Sequence, residues 1–237
     1  MKKPMYVLMI LFTFSAYVLA QKKLKPAGEW SERDARKILD DSPWGQTQIE
    51  TDTSEMFYSP TTRSASDSSR AAQGATNQAT HVNFHIRFLS AKPIRQAIAR
   101  SMELQQKSPN PQLSEQLRSF VDRKFDDWIV VAVTYDSRDQ RFLRPIMQAF
   151  NSANTGLLKN TTYLELRGGK RLFLEEYKAP TNDGLGAKFL FPRVVEGRPF
   201  IRPDSGEVRF YAEFSKNLKL NMRFKVIDFT YEGELEY

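Results

Sequence analysis

The two histidines, His81 and His85, are the first residues whose type and spacing suggest chemistry, because imidazoles bind metal ions. They lie four residues apart where apolar and polar residues alternate, which predicts a strand starting near His81. On a strand, four residues span about 13 Å, too far for one ion to bind both rings. On a helix, the zinc-protease pattern needs a glutamate where Val82 stands. We therefore predict no metal site at this pair.

Nucleophile motifs are also absent from the sequence. The chain has no cysteine, which excludes thiol catalysis, disulfides and Cys-ligated zinc or iron–sulfur clusters. No Gly-x-Ser-x-Gly, Ser-x-x-Lys or complete phosphate-loop pattern occurs. Gly168-Gly169-Lys170 resembles the end of a phosphate loop, but it lacks the first glycine and the following hydroxyl residue, so we interpret it as a hairpin turn. A catalytic pair of carboxylates stays open, because the chain has 28 acidic residues and none of them forms a motif.

The first twenty residues predict export. Lys2 and Lys3 precede an uncharged apolar stretch over residues 6–19, and Val18 and Ala20 fit the −3 and −1 positions of a cleavage site. The stretch is short for a membrane span, so we predict a signal peptide over 1–20, with an uncleaved anchor as the alternative. No second long apolar run follows, which predicts no transmembrane span after cleavage.

Residues 21–58 form an N-terminal segment with one short predicted helix. Ser31 is a good N-cap, and Ala35, Ile38 and Leu39 form an apolar stripe. About ten helical residues are marginal alone, so the helix must dock. It docks either on its own domain or on a partner. In the second case, the tryptophans and the proline that flank the helix are candidate partner contacts: Trp30, Pro43 and Trp44.

The rest of the chain divides into a linker and a folded domain. Residues 59–80 are rich in Ser, Thr and Ala, which predicts a flexible linker. Residues 81–237 predict an α+β domain, since a β-α-α-β segment precedes an antiparallel β-rich half. A curved sheet, a sandwich and a small barrel are all consistent with that half. Residues 167–169 predict a three-residue hairpin loop, and the phase slip at Val226-Ile227 predicts a β-bulge.

Charge is distributed unevenly along the chain. The formal net charge is +7, or +5 once the two lysines of the signal peptide are removed, a mild excess that does not indicate a nucleic-acid partner. Between His85 and Lys124 there are eight Lys/Arg and three Asp/Glu, whereas the last ten residues contain four acids and no base. These stretches are either solvated faces or a basic helical surface that meets an anionic partner, with Arg95 and Arg100 as candidate members.

Three short motifs resemble those of a set of exported acidobacterial proteins of unknown activity. They are Trp30 with Asp-Ala-Arg-Lys-Ile-Leu at 34–39 and Ser-Pro-Trp at 42–44, Ser-Ala-Lys-Pro-Ile-Arg-Gln-Ala at 90–97, and Tyr-Glu-Gly-Glu-Leu-Glu at 231–236. The similarity spans most of the mature chain. It implies a location in a Gram-negative envelope and implies no activity and no site residue.

Together these observations favour an exported, non-enzymatic protein that binds or interacts with an envelope component or a protein partner. We expect it in the periplasm or outside the cell, without a cofactor. The alternative from another class is a secreted hydrolase that uses an Asp/Glu pair. A further alternative is an accessory protein whose sheet pairs with another chain's edge strand.

Overall fold

A computed structural model describes residues 24–52, 80–108 and 110–237. The predicted signal peptide lies outside the described residues, as does the predicted linker except for Thr80, which begins a strand. The helices are α1 (Glu32–Asp40), α2 (Lys92–Leu104), α3 (Pro111–Asp122), α4 (Gln140–Ser152) and α5 (Thr155–Leu158), with 3-10 turns at Ala27–Glu29, Pro203–Ser205 and Val226–Phe229.

The strands are β1 (Gly45–Asp52), β2 (Thr80–Phe88), β3 (Trp128–Ser137), β4 (Thr162–Leu166), β5 (Arg171–Phe173), β6 (Glu176–Lys178), β7 (Ala187–Pro192), β8 (Val194–Val195), β9 (Arg198–Pro199), β10 (Glu207–Ser215), β11 (Leu218–Lys225), β12 (Thr230–Tyr231) and β13 (Glu234–Leu235). One sheet has the order β1-β2-β3-β7-β6 and another has the order β11-β10-β4-β5. All their pairings are antiparallel, and β8–β9 and β12–β13 are separate hairpins. The predicted α+β class is confirmed.

The core lies between the two large sheets. Phe88 of β2 meets Phe224 of β11 edge to face, with ring centroids 5.0 Å apart. Phe189 of β7 meets Phe210 of β10 at 5.2 Å in the same way. These four rings are fully or almost fully buried. Burying one such side chain contributes about 1.5–3 kcal/mol, so the interface between the sheets is a main source of stability.

Helix α1 forms as predicted and docks on its own domain. The Ser31 side chain accepts a hydrogen bond from the backbone of Asp34, whose carboxylate accepts one from the backbone of Ser31, which completes a capping box. Ala35 and Ile38 are buried in the core. A short turn leads from the helix into β1 at Gly45, where any Cβ atom would clash with the Leu39 carbonyl oxygen.

Strand β1 was not predicted, and it joins the N-terminal segment to the main sheet. It pairs with β2 along its whole length, from Gly45 opposite Arg87 to Asp52 opposite Thr80. Its sequence shows no apolar alternation, since Ile49 is its one large apolar residue. The Ile49 side chain is also 60% exposed, so it is not part of the core. Backbone pairing therefore determines this strand, and hydrophobic periodicity does not reveal it.

The β-α-α-β segment is confirmed as β2, α2, α3 and β3, and β2 pairs with β3. Helix α2 has Pro93 near its start but no capping side chain of its own. The Glu236 carboxylate accepts a hydrogen bond from the Lys92 backbone at 2.8 Å instead. An anionic group at this position is favourable for the helix dipole, so the acidic C-terminus stabilises α2.

Of the two details predicted for the β-rich half, one is confirmed and one is wrong. The three-residue loop is confirmed, with Gly169 at φ 82 and Leu164 directly opposite Leu172. The β-bulge predicted at Val226-Ile227 is wrong, because β11 ends there and a 3-10 turn runs over Val226–Phe229. This turn changes which residues face inward, burying Val226 and Phe229 and leaving Ile227 exposed.

The two large sheets connect at both sides, so the molecule is a sandwich with partly closed edges. On one side the chain passes from β5 of one sheet to β6 of the other within two residues. On the other side the Gln48 amide of β1 bonds to the backbone edge of β11, donating to the Lys219 carbonyl at 2.8 Å and accepting from the Asn221 N–H at 2.7 Å. Among the described residues, no helix is long and apolar enough to cross a bilayer.

Candidate functional site

The two predicted tryptophan contacts lie in the core. Trp30 is 2% exposed, and its indole N–H donates to the Lys25 carbonyl at 2.8 Å. Trp44 is 3% exposed and donates to the Glu236 carbonyl at 2.9 Å. Pro43 is half-buried in the turn before Trp44. In this conformation neither indole ring is open to a partner.

The two predicted members of a basic surface bond to the chain itself. The buried Arg95 guanidinium donates to the carbonyls of Leu89, Ser90 and Val121. Burial lowers the pKa of Arg95 to about 10, so it stays charged at neutral pH. Arg100 donates to the Trp30 carbonyl at 2.8 Å. Arg95 therefore stabilises the turns around α2 and α3, and Arg100 joins α2 to the N-terminal segment.

A groove between two β-hairpins is the strongest candidate for a site. We call it the hairpin groove. It has a volume of about 450 Å³, and it lies between the β4–β5 and β8–β9 hairpins. Its lining residues are Leu166, Lys170, Val195, Glu196, Arg198, Pro199, Phe200 and Arg202.

The local sequence explains how the groove forms. Glu196 and Gly197 connect β8 to β9 with φ values of 52 and 74, as in a type I′ turn. Phe200 follows β9, is 4% exposed, and its backbone N–H donates to the Arg193 carbonyl. Lys170 at the end of the other hairpin loop lies with its Nζ atom 6.0 Å from the centre of the Phe200 ring. A fixed aromatic side chain thus lies between the two hairpins.

The groove carries an excess of positive charge. Three of its side chains are cationic, Lys170, Arg198 and Arg202, and one is acidic, Glu196. Arg202 pairs with the exposed carboxylate of Asp204 at 3.2 Å. Within residues 24–52, 80–108 and 110–237, Lys170 and Arg198 make no ion pair. Two cations without an ion-pair partner are therefore available to an anion.

A second cavity, the helix cleft, lies beside α2 and has a volume of about 290 Å³. Its lining residues are Leu39, Arg87, Leu89, Ile94, Ile98, Ser101, Met102, Gln105, Ala132, Asp183, Gly184 and Leu185. The charged groups there already have partners. Arg87 bonds to Asp40 at 2.7 Å and to Thr134 at 3.1 Å, and Asp183 pairs with Lys188 at 2.7 Å. The helix cleft therefore offers fewer unpaired charged groups to a ligand than the hairpin groove does.

His85 lies at the centre of a polar cluster on the outer face of the main sheet. Its Nε2 atom lies 2.6 Å from Asp136, and its Nδ1 atom lies 3.0 Å from Asp40 and 3.1 Å from Thr47. Burial acts to lower the pKa of His85, but the bonds to Asp40 and Asp136 outweigh it and raise the pKa. Both ring nitrogens are thus occupied by groups of the chain, which indicates a structural role.

The placement of both histidines agrees with the strand prediction, since His81 and His85 both lie on β2. In the part of the chain that the structure describes, no group of three or more His, Asp or Glu side chains is arranged to hold a metal ion. The hairpin groove and the helix cleft each contain one acidic residue, Glu196 and Asp183 respectively. A two-carboxylate hydrolysis needs both groups in one cleft.

Comparisons with models of protein families, with curated proteins and with solved structures each give no match to this chain. The resemblance to exported acidobacterial proteins therefore stays a prediction. The residues of the hairpin groove were missed by sequence reasoning. The signal that could have found them is the recurrence of cations beside two glycine turns, at Lys170 and at Arg198 with Arg202.

Proposed function

We propose that this protein is an exported, non-enzymatic binding module of the cell envelope, and that the hairpin groove is its site for an anionic ligand. The observation that carries the proposal is the pair of cations, Lys170 and Arg198, that face this groove without an ion-pair partner among the described residues. Arg202, which pairs with Asp204, also lines the groove. Charged hydrogen bonds to an anion are stronger than neutral ones, so such a groove selects by charge.

Two further features support binding over hydrolysis. The groove lies on hairpins attached to a rigid sandwich, an arrangement common for ligand sites. It also offers a single carboxylate, Glu196, where the Asp/Glu alternative needs two. The envelope location is supported by the predicted signal peptide.

Co-sedimentation of the mature chain with vesicles of isolated Gram-negative envelopes tests the proposal. We expect binding that weakens at high salt and falls at least tenfold in Lys170→Gln/Arg198→Gln. The matched control is Lys159→Gln/Lys216→Gln, which removes the same charge at exposed residues that do not line the groove. Equal losses in the two double variants would show a non-specific charge effect and refute the groove as the site. Release of a cleaved product during incubation would favour the hydrolase.

A further inference from the structure

We infer that the hairpin groove recognises a phosphomonoester, that is, a doubly charged phosphate attached to a small hydroxylated body. This inference rests on the proposed function of the groove and specifies its ligand. The observations behind it are the two unpaired cations of the groove, the volume of the groove, and the position of Glu196 among the cations.

The groove offers two unpaired cations to a dianion. Lys170 and Arg198 have no ion-pair partner among the described residues, whereas Arg202 already pairs with Asp204. A phosphomonoester carries about −1.5 to −2 at pH 7, whereas a monocarboxylate carries only one negative charge. Arg198 and Arg202 add planar guanidinium groups, whose paired N–H donors fit the oxygens of a phosphate.

The volume of the groove leaves room for more than a free phosphate ion. At about 450 Å³ it falls within the range of small-molecule sites, roughly 300–1,000 Å³. Part of its wall is apolar and contains Leu166, Val195 and Pro199. The phosphate can meet the cations while an uncharged body covers this wall.

Glu196 indicates the nature of that body. Its φ of 52 is a conformation that Asn, Asp or Gly adopts more readily at this position of a type I′ turn. A carboxylate among cations also weakens the binding of any anion. Glu232 has the same φ outside the groove, so the backbone conformation alone does not indicate a ligand. The second disadvantage is explained if Glu196 accepts hydrogen bonds from hydroxyl groups of the ligand body, because an ionised carboxylate is a pure acceptor.

Calorimetric titration of the mature chain tests the inference with inorganic phosphate, glucose 6-phosphate, glucose and acetate as probes. We expect glucose 6-phosphate to bind best, phosphate weakly, and glucose and acetate not at all at millimolar concentrations. Arg198→Gln should weaken both phosphate probes at least tenfold. Glu196→Asn should bind inorganic phosphate several-fold more tightly and lose the preference for glucose 6-phosphate.

A matched control exists at the other glutamate with positive φ. Glu232 precedes Gly233 in the β12–β13 turn, with φ values of 52 and 89, and does not line the groove. Glu196→Asn and Glu232→Asn both replace a glutamate by the residue that this turn prefers, so both should stay folded, with melting temperatures about 2 °C or more above the wild type where strain is relieved. Only Glu196→Asn should change phosphate binding.

The possible results separate this inference from the proposed function. Groove-dependent binding to envelope vesicles without binding of either phosphate probe would refute the phosphomonoester and leave the anionic site intact. Equal affinity for acetate and phosphate would also refute it. A last arm compares phosphatidylcholine vesicles with and without phosphatidic acid. Binding to phosphatidic acid alone would assign the phosphomonoester to a lipid and refute the hydroxylated body.

Discussion

His85 shows how single residues connect the outer face of the main sheet to the N-terminal segment. The groups that face it are Asp40 on α1, Thr47 on β1, Asp136 on β3, and Arg87 on its own strand. Arg87 also bonds to Asp40 and to the Leu39 carbonyl. Protonated His85 can donate to both carboxylates at once, whereas neutral His85 can donate to only one of them. The attachment of α1 therefore depends on the charge of this residue.

We expect the stability of the protein to decrease as the pH rises above about 6.5. The pKa of His85 is raised in the folded chain, so its contribution is complete below the unfolded value of 6.5 and is lost as the pH rises through the folded pKa. Each tenfold gain in proton affinity corresponds to about 1.4 kcal/mol of folding free energy. Urea unfolding between pH 5 and pH 9 measures this decrease.

The substitution that tests this assignment is His85→Gln, which should flatten the decrease in stability, whereas His81→Gln on the same strand should retain the decrease.

The carboxylates that bond to His85 affect the stability at acidic pH. Burial acts to raise the pKa of Asp40 and Asp136, but the bonds to His85 and its neighbours lower it. Their contribution is present above about pH 3.8 and is lost as the pH falls through the folded pKa. If the decrease in stability between pH 5 and pH 9 persisted in His85→Gln, it would contradict the assignment of that decrease to His85.

Trp30 tests whether a predicted partner contact has a structural role. Because the ring is 2% exposed, we expect Trp30→Ala to lower the free energy of unfolding by about 3–5 kcal/mol. Leu24→Ala, at a residue that is 40% exposed, should change it by less than about 0.5 kcal/mol. Binding to envelope vesicles should be unchanged per folded molecule, since Trp30 does not line the hairpin groove. A loss of binding without a loss of stability would instead support the partner role.

At the scale of elements, sequence periodicity predicted those parts whose burial alternates and missed those determined by polar contacts. Val82, Phe84, Ile86 and Phe88 alternate and are buried, so β2 was predictable. Helix α4 could be placed from the sequence only as a short helix around residues 144–152. It begins earlier, at Gln140, because the Asp139 side chain caps it. Pro145 thus lies inside the helix, where sequence rules disfavour it.

Strand β1 could not be predicted from apolar periodicity, because a side-chain amide connects it to the edge of the other large sheet. Gln48→Ala should lower the free energy of unfolding by about 1–2 kcal/mol, because it removes two hydrogen bonds to β11. The Asn221 amide should then exchange faster with solvent, as hydrogen-exchange NMR can measure. Gln46→Ala on the same strand is the matched control and should change neither quantity. Unchanged protection of Asn221 in Gln48→Ala would show that the two sheets are held together elsewhere.

At the scale of the whole molecule, some residues of the basic stretch bind residues of the acidic C-terminal stretch. Lys92 at the start of α2 pairs with Glu232 at 3.0 Å, and its backbone bonds to Glu236. Part of the acidic end of the chain therefore meets part of the basic stretch. Sequence alone could not reveal this pairing, because the residues are about 140 positions apart along the chain. The cations of the hairpin groove lie on turns outside the basic stretch of 85–124.

The remaining whole-molecule prediction concerns where this fold assembles. Expressed with its own N-terminus in a Gram-negative host, the protein should appear in the envelope or periplasmic fraction with residues 1–20 removed, as intact mass and N-terminal sequencing would show. Ala20→Asp should block cleavage, because the −1 position needs a small uncharged residue, and should leave a longer product in the membrane fraction. Leu24→Ala, four residues further on, should be processed normally. A full-length product with Met1 in the cytosolic fraction would contradict export. Such a location would also place the hairpin groove in a different compartment from the envelope that is proposed to supply its anionic ligand. The affinity of the groove for phosphomonoesters could still be measured on the same purified chain.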